Sequence, residues 1–240
     1  MNKSNEKYTV GFICPMDCEL AAVIRLMQGS ETRPFGALTF YTGEIEGTPA
    51  VAVKCGVGKV FAAIAAEAMI LGFSPDLIVT TGVAGNLSAD LAIGDVVVST
   101  AVVQHDMDTS PIGDPVGLIS GIHKIEIESD AKAADKMCAC LDALGVRYAR
   151  GVIASGDQFI ASNEARERIT TLFGALCCEM EGAAVGQVAY LHGVPFLVLR
   201  ALSDDANGHS PDDFPAYCVK VSATSSRAIA AFMRSLSEGV

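Results

Sequence analysis

The sequence predicts an α/β protein in which helices cover both faces of one mixed, mostly parallel sheet. Three observations lead there. Strand-like apolar runs alternate with helix-like runs from end to end of the 240 residues. Several strand runs, such as 152–155, 175–178 and 195–202, are short and apolar, as strands buried by layers on either side are. No linker, repeat or low-complexity segment divides the chain, whose length one domain commonly fills. The expectation is a single-domain three-layer α/β/α sandwich over residues 1–240, with 1–7 a flexible tail.

The elements follow in order. Residues 8–14 read as a strand and 16–27 as a helix. Residues 38–46 and 49–55 form an antiparallel pair turned at Glu46-Gly47-Thr48. An Ala-rich helix covers 59–71, and strands cover 76–81 and 95–103. A loop rich in Gly, Pro and Asp spans 105–121, followed by a strand at 124–128. A helix at 131–144 is ended by Gly145. The strands 152–155, 175–178 and 195–202 alternate with helices at 163–173 and 183–191, and a helix at 217–235 closes the chain.

Half of the residues are hydrophobic, and the mean hydropathy is +0.38, so a membrane span has to be tested first. The run 60–73 contains Glu67 and is too short to cross a bilayer. The run 183–202 is broken by Gly193-Val194-Pro195 and interrupted by Gln187, His192 and Arg200. Residues 1–7 are polar, and the apolar run after them is too short for a signal peptide. These features predict a soluble, cytoplasmic protein. The net charge of −11 comes from 28 acidic and 17 basic residues without a basic cluster. Nucleic acid and anionic membranes are therefore poor partners, and a small neutral or cationic ligand is a better one. The eight cysteines lack recurring zinc spacing, and Cys177-Cys178 are adjacent in an apolar run. They read as free core thiols rather than disulfides or metal ligands. Neither a metal nor a cofactor is expected.

Open α/β sheets bind ligands beyond the carboxyl ends of their strands. The residues found there are Met16, Asp17 and Glu19; Gly82-Val83-Ala84-Gly85-Asn86; Gly156-Asp157-Gln158-Phe159-Ile160; Glu179-Met180-Glu181; and Ser203-Asp204-Asp205. Carboxylates recur at these ends, which folding alone does not require. They suit the cleavage of a glycosidic bond between a sugar and a purine. There the sugar carbon becomes cationic and the departing base anionic. One carboxyl protonates the base, another deprotonates water, and a third accepts the protons of two ribose hydroxyls. Glu19, Glu181 and Asp204 can supply the three.

The stretches 11–19 (GFICPMDCE), 81–86 (TGVAGN), 155–160 (SGDQFI), 179–181 (EME) and 200–204 (RALSD) occur in this order. With them the sequence resembles the bacterial methylthioadenosine/S-adenosylhomocysteine nucleosidases of the purine nucleoside phosphorylase superfamily, from about residue 10 to about 235. The resemblance implies a nucleoside phosphorylase-like fold and hydrolysis of a 5'-thio-substituted adenosine, with water as co-substrate. It assigns Glu19 as the base that activates water, and Asp204, beside Ser203, as the acid at purine N7. It gives Glu181 the ribose hydroxyls, with Met180 packed against the sugar. Phe159 stacks on adenine, the Ile160 backbone reads the base edge, and Arg200 lies near the water and the carboxylates. Ala84 and Gly85 present backbone N–H groups. Met16, Val57, Ile112 and Phe214 line the 5'-thio pocket, Phe214 on a mobile closing segment. A homodimer is also implied, with the loop 108–119 reaching the partner's pocket. Two positions depart from the family pattern: Val83 stands where many relatives have Ser, and Asn86 where Gly is more usual.

Other readings of the same residues stand beside these. Glu19 also suits a first helical turn, Asp204 a cap, and Glu179 a structural role. His105, Asp106 and Asp108 read as a solvated loop rather than metal ligands. Gly56-Val57-Gly58 imitates a dinucleotide fingerprint, but Phe61 occupies the third glycine position. A phosphate-dependent nucleoside phosphorylase is the nearest rival function. Phosphorylase relatives place an Arg before the glycine loop, where this chain has Val79-Thr80-Thr81-Gly82 and no cation. Futalosine hydrolase and a non-catalytic nucleoside-binding protein are the further alternatives.

Overall fold

A computed structural model describes the backbone of residues 8–206 and 214–237, and the side chains of 8–206, 218 and 222–237. Residues 1–7, expected to be a tail, lie outside the described residues. The strands are β1 (Val10–Cys14), β2 (Gln28–Phe35), β3 (Leu38–Ile45), β4 (Thr48–Lys54), β5 (Leu77–Asn86), β6 (Val96–Gln104), β7 (Glu126–Glu128), β8 (Tyr148–Ser155), β9 (Cys177–Glu179) and β10 (Phe196–Asp204). The helices are α1 (Asp17–Ile24), α2 (Lys59–Phe73), α3 (Ala131–Ala143), α4 (Asn163–Phe173), α5 (Gly182–His192) and α6 (Phe214–Ser237), with a 3₁₀ turn at Ser110–Ile112.

The sheet runs β10-β6-β8-β9-β5-β1-β4-β3-β2, with β7 on β6 and an additional pairing of β10 with β5. That last pairing closes β10, β6, β8, β9 and β5 into a ring, from which β1, β4, β3 and β2 extend as an open sheet. Parallel ladders hold β1 between β4 and β5, and β10 beside β5. The hairpin β2–β3–β4 is antiparallel. Its β3–β4 turn is the expected one: Glu46 and Gly47 both take positive φ (51° and 77°), the two-residue geometry that matches strand twist.

Three layers follow from the packing. Leu20 and Val23 of α1, Met137 and Leu141 of α3, and Ile229 and Phe232 of α6 share one core with Phe12 and Val79 of the sheet. Ala62, Ala65 and Met69 of α2 and Ala183, Val185 and Ala189 of α5 share the opposite core with Ile13, Ile78 and Val198. Alternate residues of β1 and β5 thus feed different layers, as the strand period demands. A smaller cluster seats Ile169 and Phe173 of α4 against Val103, Ala154 and Ile160.

Helix boundaries have local causes. Ser162 accepts from Ala165 N and opens α4, Asp130 accepts from Ala133 N and opens α3, and left-handed Gly174 and Gly193 close α4 and α5. Three sequence expectations need correction. Strand β2 was not expected, because QGSETRPF is polar and exposed throughout. It is held on one side only, where an edge strand needs no buried face and tolerates Pro34. Helix α1 ends at Ile24 rather than 27. The stretch 82–86, expected as a loop, lies inside β5, paired to β10 and β9.

All eight cysteines are free, and all but Cys18 are buried. Among the described residues, no helix is long and apolar enough to cross a membrane.

Candidate active site

The carboxyl ends of β1, β4, β5, β8, β9 and β10 surround one cleft of about 190 Å³. Glu19, Glu181 and Asp204 all line it, although 162 residues separate Glu19 from Glu181 in sequence position, and each is at most 4% exposed. The remaining sequence-predicted residues of β5, β8–α4, β9 and β10 meet there too: Ala84, Gly85, Phe159, Ile160, Met180, Arg200 and Ser203. Met16 and Val57 complete the wall beside Glu19. Phe159 and Val57 remain 60% and 50% exposed, which puts them at the mouth.

Glu19 sits in the first turn of α1, and its side chain accepts the Met16 N–H at 2.8 Å and the Val83 N–H at 3.1 Å. The first contact is half of a capping box, so the first-turn reading and the catalytic reading describe one carboxylate. Burial pushes the Glu19 pKa up, against the opposing pull of Arg200 and the two amides. A raised carboxylate pKa makes a stronger base.

Arg200 is completely buried on β10, directly across the ladder from Gly82. Its Nη2 donates to Glu179 and, at 3.4 Å, to Glu181 Oε2. A Cβ at Gly82 would stand 2.1 Å from Arg200 Nη1 and 2.6 Å from Glu19 Oε1, so both groups converge on that backbone atom. Burial opposes the guanidinium charge, but Glu179, Glu181 and Glu19 together push its pKa up and keep it ionised.

Glu181 accepts the Gly58 N–H at 2.9 Å. Burial, then the neighbouring Glu179 carboxylate, lifts its pKa to about 7, while Arg200 and the Gly58 amide pull the other way. Glu179 is the anchor of this corner. It accepts from Ser155 Oγ, Glu181 N (3.1 Å), Gly182 N (2.8 Å) and Arg200. On the far side, Asp204 accepts the Ser203 hydroxyl at 2.8 Å and the Ala206 N–H at 2.9 Å. Cys178 lies against it, its thiol pushed up to about 12 by burial and then by the Asp204 charge.

Sequence reasoning assigned no part to Gly82 or Gly58, while the structural role it offered for Glu179 agrees with these contacts. Gly58 belongs to the G-x-G stretch discarded as a false fingerprint, and what it offers is an amide, not a phosphate loop. The 105–108 stretch also needs correction. His105 is buried and Asp106 pairs with Lys59 at 2.7 Å, so of the three only Asp108 is exposed as expected of a solvated loop. Among the described residues, no cluster of His, Cys, Asp and Glu could hold a metal ion. Ile112 does not line this cleft: it stands 82% exposed on the 3₁₀ turn. Phe214 opens α6, and its side chain lies outside the described ones.

The family model of the phosphorylase superfamily matches residues 9–234. A 5'-methylthioadenosine/S-adenosylhomocysteine nucleosidase of Shewanella halifaxensis is 36% identical over 231 residues, 95% of this chain and 99% of the relative. The chain belongs to this nucleosidase family of the phosphorylase superfamily. The fold agrees. The nucleosidase of Neisseria meningitidis, solved with methylthio-immucillin-A, superposes with a TM-score of 0.90 at 30% identity, covering 95% of this chain and 99% of that one. A futalosine hydrolase of Helicobacter pylori, at 32% identity, superposes with a TM-score of 0.88, covering 94% and 97%. The cleft of this chain thus brings together the buried carboxylates of Glu19, Glu181 and Asp204, with an exposed aromatic ring at its mouth.

Proposed function

We propose that this chain hydrolyses the N-glycosidic bond of 5'-methylthioadenosine, S-adenosylhomocysteine or both, releasing adenine and the 5'-thioribose product. The observation that carries the reading is the convergence of Glu19, Glu181 and Asp204 on one buried cleft whose cation, Arg200, is already engaged by carboxylates. Glu19 takes a proton from water as that water attacks the sugar carbon. Asp204 gives a proton to purine N7 as the bond breaks, and Ser203 orients its carboxyl. Glu181 accepts the ribose hydroxyls, Met180 packs on the sugar, Phe159 stacks on adenine, and the Ile160 backbone reads the base edge. Ala84 and Gly85 form the floor, and Met16 and Val57 face the 5' substituent. Phosphate has no comparable place: a dianion needs accessible cationic or amide donors, whereas the Arg200 guanidinium is fully buried, with its charge offset by Glu179 and Glu181. No cofactor enters the scheme, and the reaction is assigned to the cytoplasm.

The active unit is proposed to be a homodimer. Val57, Val60, Phe61 and Ile64 expose an apolar stripe at the start of α2, beside the cleft mouth, each at least 50% exposed. Such a stripe asks for cover. Ile112, on the 108–119 loop, is assigned to the partner's 5' pocket. A fully active monomer in solution would count against this assembly.

The deciding assay offers methylthioadenosine, S-adenosylhomocysteine, adenosine, inosine and futalosine to the protein without phosphate and follows free base. Adenine released from the two thio-nucleosides is expected. Strict phosphate dependence with ribose 1-phosphate as product would overturn hydrolysis, and preference for futalosine would move the chain to its other structural relative. Glu19→Gln should bind substrate yet turn over about 10²–10⁴-fold more slowly; unchanged turnover would remove Glu19 from the scheme.

A further inference from the structure

We infer that Lys59 and Asp106 are positioning residues, a clamp that fixes the purine-side loop 157–160 in register with the ribose-side carboxylate Glu181. The inference rests on the nucleosidase reading above, because it takes that loop to hold the base.

Three residues, Lys59, Asp106 and Asp157, close a ring of hydrogen bonds outside the cleft. Lys59 Nζ donates to Asp106 Oδ1 at 2.7 Å, and Asp157 N donates to Asp106 Oδ2 at 2.9 Å. Lys59 N donates to Asp157 Oδ1 at 2.7 Å, which returns to the first residue of α2. The residue before it, Gly58, donates its N–H to Glu181. The start of α2 therefore holds the sugar side by one amide and the base side by the next. Asp157 leads directly into Gln158, Phe159 and Ile160, which line the cleft.

The ring is built to hold. The Lys59 and Asp106 side chains are 19% and 17% exposed, so water screens their attraction far less than at an open surface. Lys59 Nζ also meets Gln104 Oε1 at 3.1 Å, and Gln104 is fixed in turn to Gln187 of α5 at 2.6 Å. Burial opposes the Asp106 charge, yet the bonds from Lys59 and the Asp157 amide keep its pKa below the ordinary aspartate value. Phe159 needs such support, because its ring is 60% exposed and the segment that carries it belongs to no helix or strand.

A clamp of this kind acts on affinity for the base and leaves the acid and base groups where they are. The test compares wild type with Lys59→Met, Lys59→Arg and Asp106→Asn. It measures the adenine Kd by calorimetry, KM and kcat on methylthioadenosine, and the thermal midpoint. In Lys59→Met and Asp106→Asn, adenine Kd and KM should rise together by about tenfold, the scale of one charge-assisted hydrogen bond. Their kcat should stay within about threefold, and Lys59→Arg should recover most of the loss. If Lys59→Met does not fold, Asp106→Asn carries the test, since it keeps the side-chain shape and gives up the charge. Wild-type adenine affinity in these variants, or a fall in kcat at constant KM, would overturn the clamp. Wild-type protein that neither binds adenine nor releases it would instead overturn the nucleosidase reading.

Discussion

Gly82→Ala is the most demanding test of the site's geometry, because it adds one methyl group at a position closely surrounded by Arg200 and Glu19. Gly82 does not take a positive φ, so alanine meets no backbone strain there, and the penalty is purely steric. The new Cβ would lie 2.1 Å from Arg200 Nη1 and 2.6 Å from Glu19 Oε1. Carbon reaches favourable contact at about 3.5 Å, so the Arg200 contact is short by about 1.4 Å and the Glu19 contact by about 0.9 Å. Arg200 cannot retreat, being wholly buried and tied to Glu179 and Glu181. The Glu19 carboxylate can swing aside at the loss of its bond from Val83 N, while the Arg200 clash is relieved only if the backbone at Gly82 shifts as well. A misplacement of about 1 Å costs on the order of 10²-fold in rate, and overpacking costs roughly 1–3 kcal/mol in stability. Phosphate-free adenine release should therefore fall about 10²-fold in kcat/KM, with a lower urea midpoint but a folded protein. Gly121→Ala, where nothing lies within 4 Å of the new carbon, is the silent control. A Gly82→Ala enzyme within about threefold of wild type would refute the convergence of Arg200 and Glu19 on that atom.

Asp204→Asn removes the proton donor while keeping its shape, and should lower kcat about 10²–10⁴-fold on adenosine-type substrates. Asp205→Asn, its neighbour outside the proposed chemistry, should stay near wild type, and near-normal rates in Asp204→Asn would refute the acid assignment. The pH profile should show Glu181: as an acceptor of hydroxyl protons it works ionised, so kcat/KM should rise with pH through about 7, and a profile flat from about pH 5 to 8 would contradict it. Stability should run the opposite way. The folded pKa of Glu181 lies above the ordinary 4.5, so the folded state holds a proton that the unfolded state has lost. Its stabilising contribution is complete below about 4.5 and disappears as pH rises through about 7. Urea midpoints should fall across that window in wild type more than in Glu181→Gln, and equal slopes would remove the linkage.

Most of the layered fold was legible because alternating apolar runs at strand and helix length leave few other packings. Failures cluster where that signal is weak. β2 has no apolar face to read, and 82–86 carries glycines that resemble a loop although its neighbours pair it as strand. The site was legible through side chains that carry charge. Glu19, Glu181 and Asp204 announce themselves at strand ends, and Met180, Phe159, Ile160 and Ser203 follow from their motifs. Ile112 was legible as an apolar residue on the loop expected to reach the partner, and in its own chain it stands exposed outside the cleft. The Lys59–Asp106 pair could not be read, because 47 positions of chain separate partners that meet only when α2 and the end of β6 come together.

The least legible part is what holds the acids in place. Met16 N and Val83 N hold Glu19, Gly58 N holds Glu181, Ala206 N holds Asp204, and Glu181 N and Gly182 N hold Glu179. Main-chain donors are indifferent to side-chain identity, so the substitution of Val at 83 leaves the Glu19 contact intact, because that bond comes from the amide. What a hydroxyl there would have added is a donor or acceptor inside the cleft, and Val83 replaces it with an apolar wall. The nearby polar group able to orient an attacking water is then Glu19 itself, because Arg200 Nη1 and Nε are fully buried and, among the described residues, have no hydrogen-bond partner. In this chain the guanidinium neutralises the Glu179–Glu181 pair through Nη2. Arginine presents its donors on one rigid plane, so lysine at 200 could balance the charge and still fail to hold Glu179 and Glu181 together.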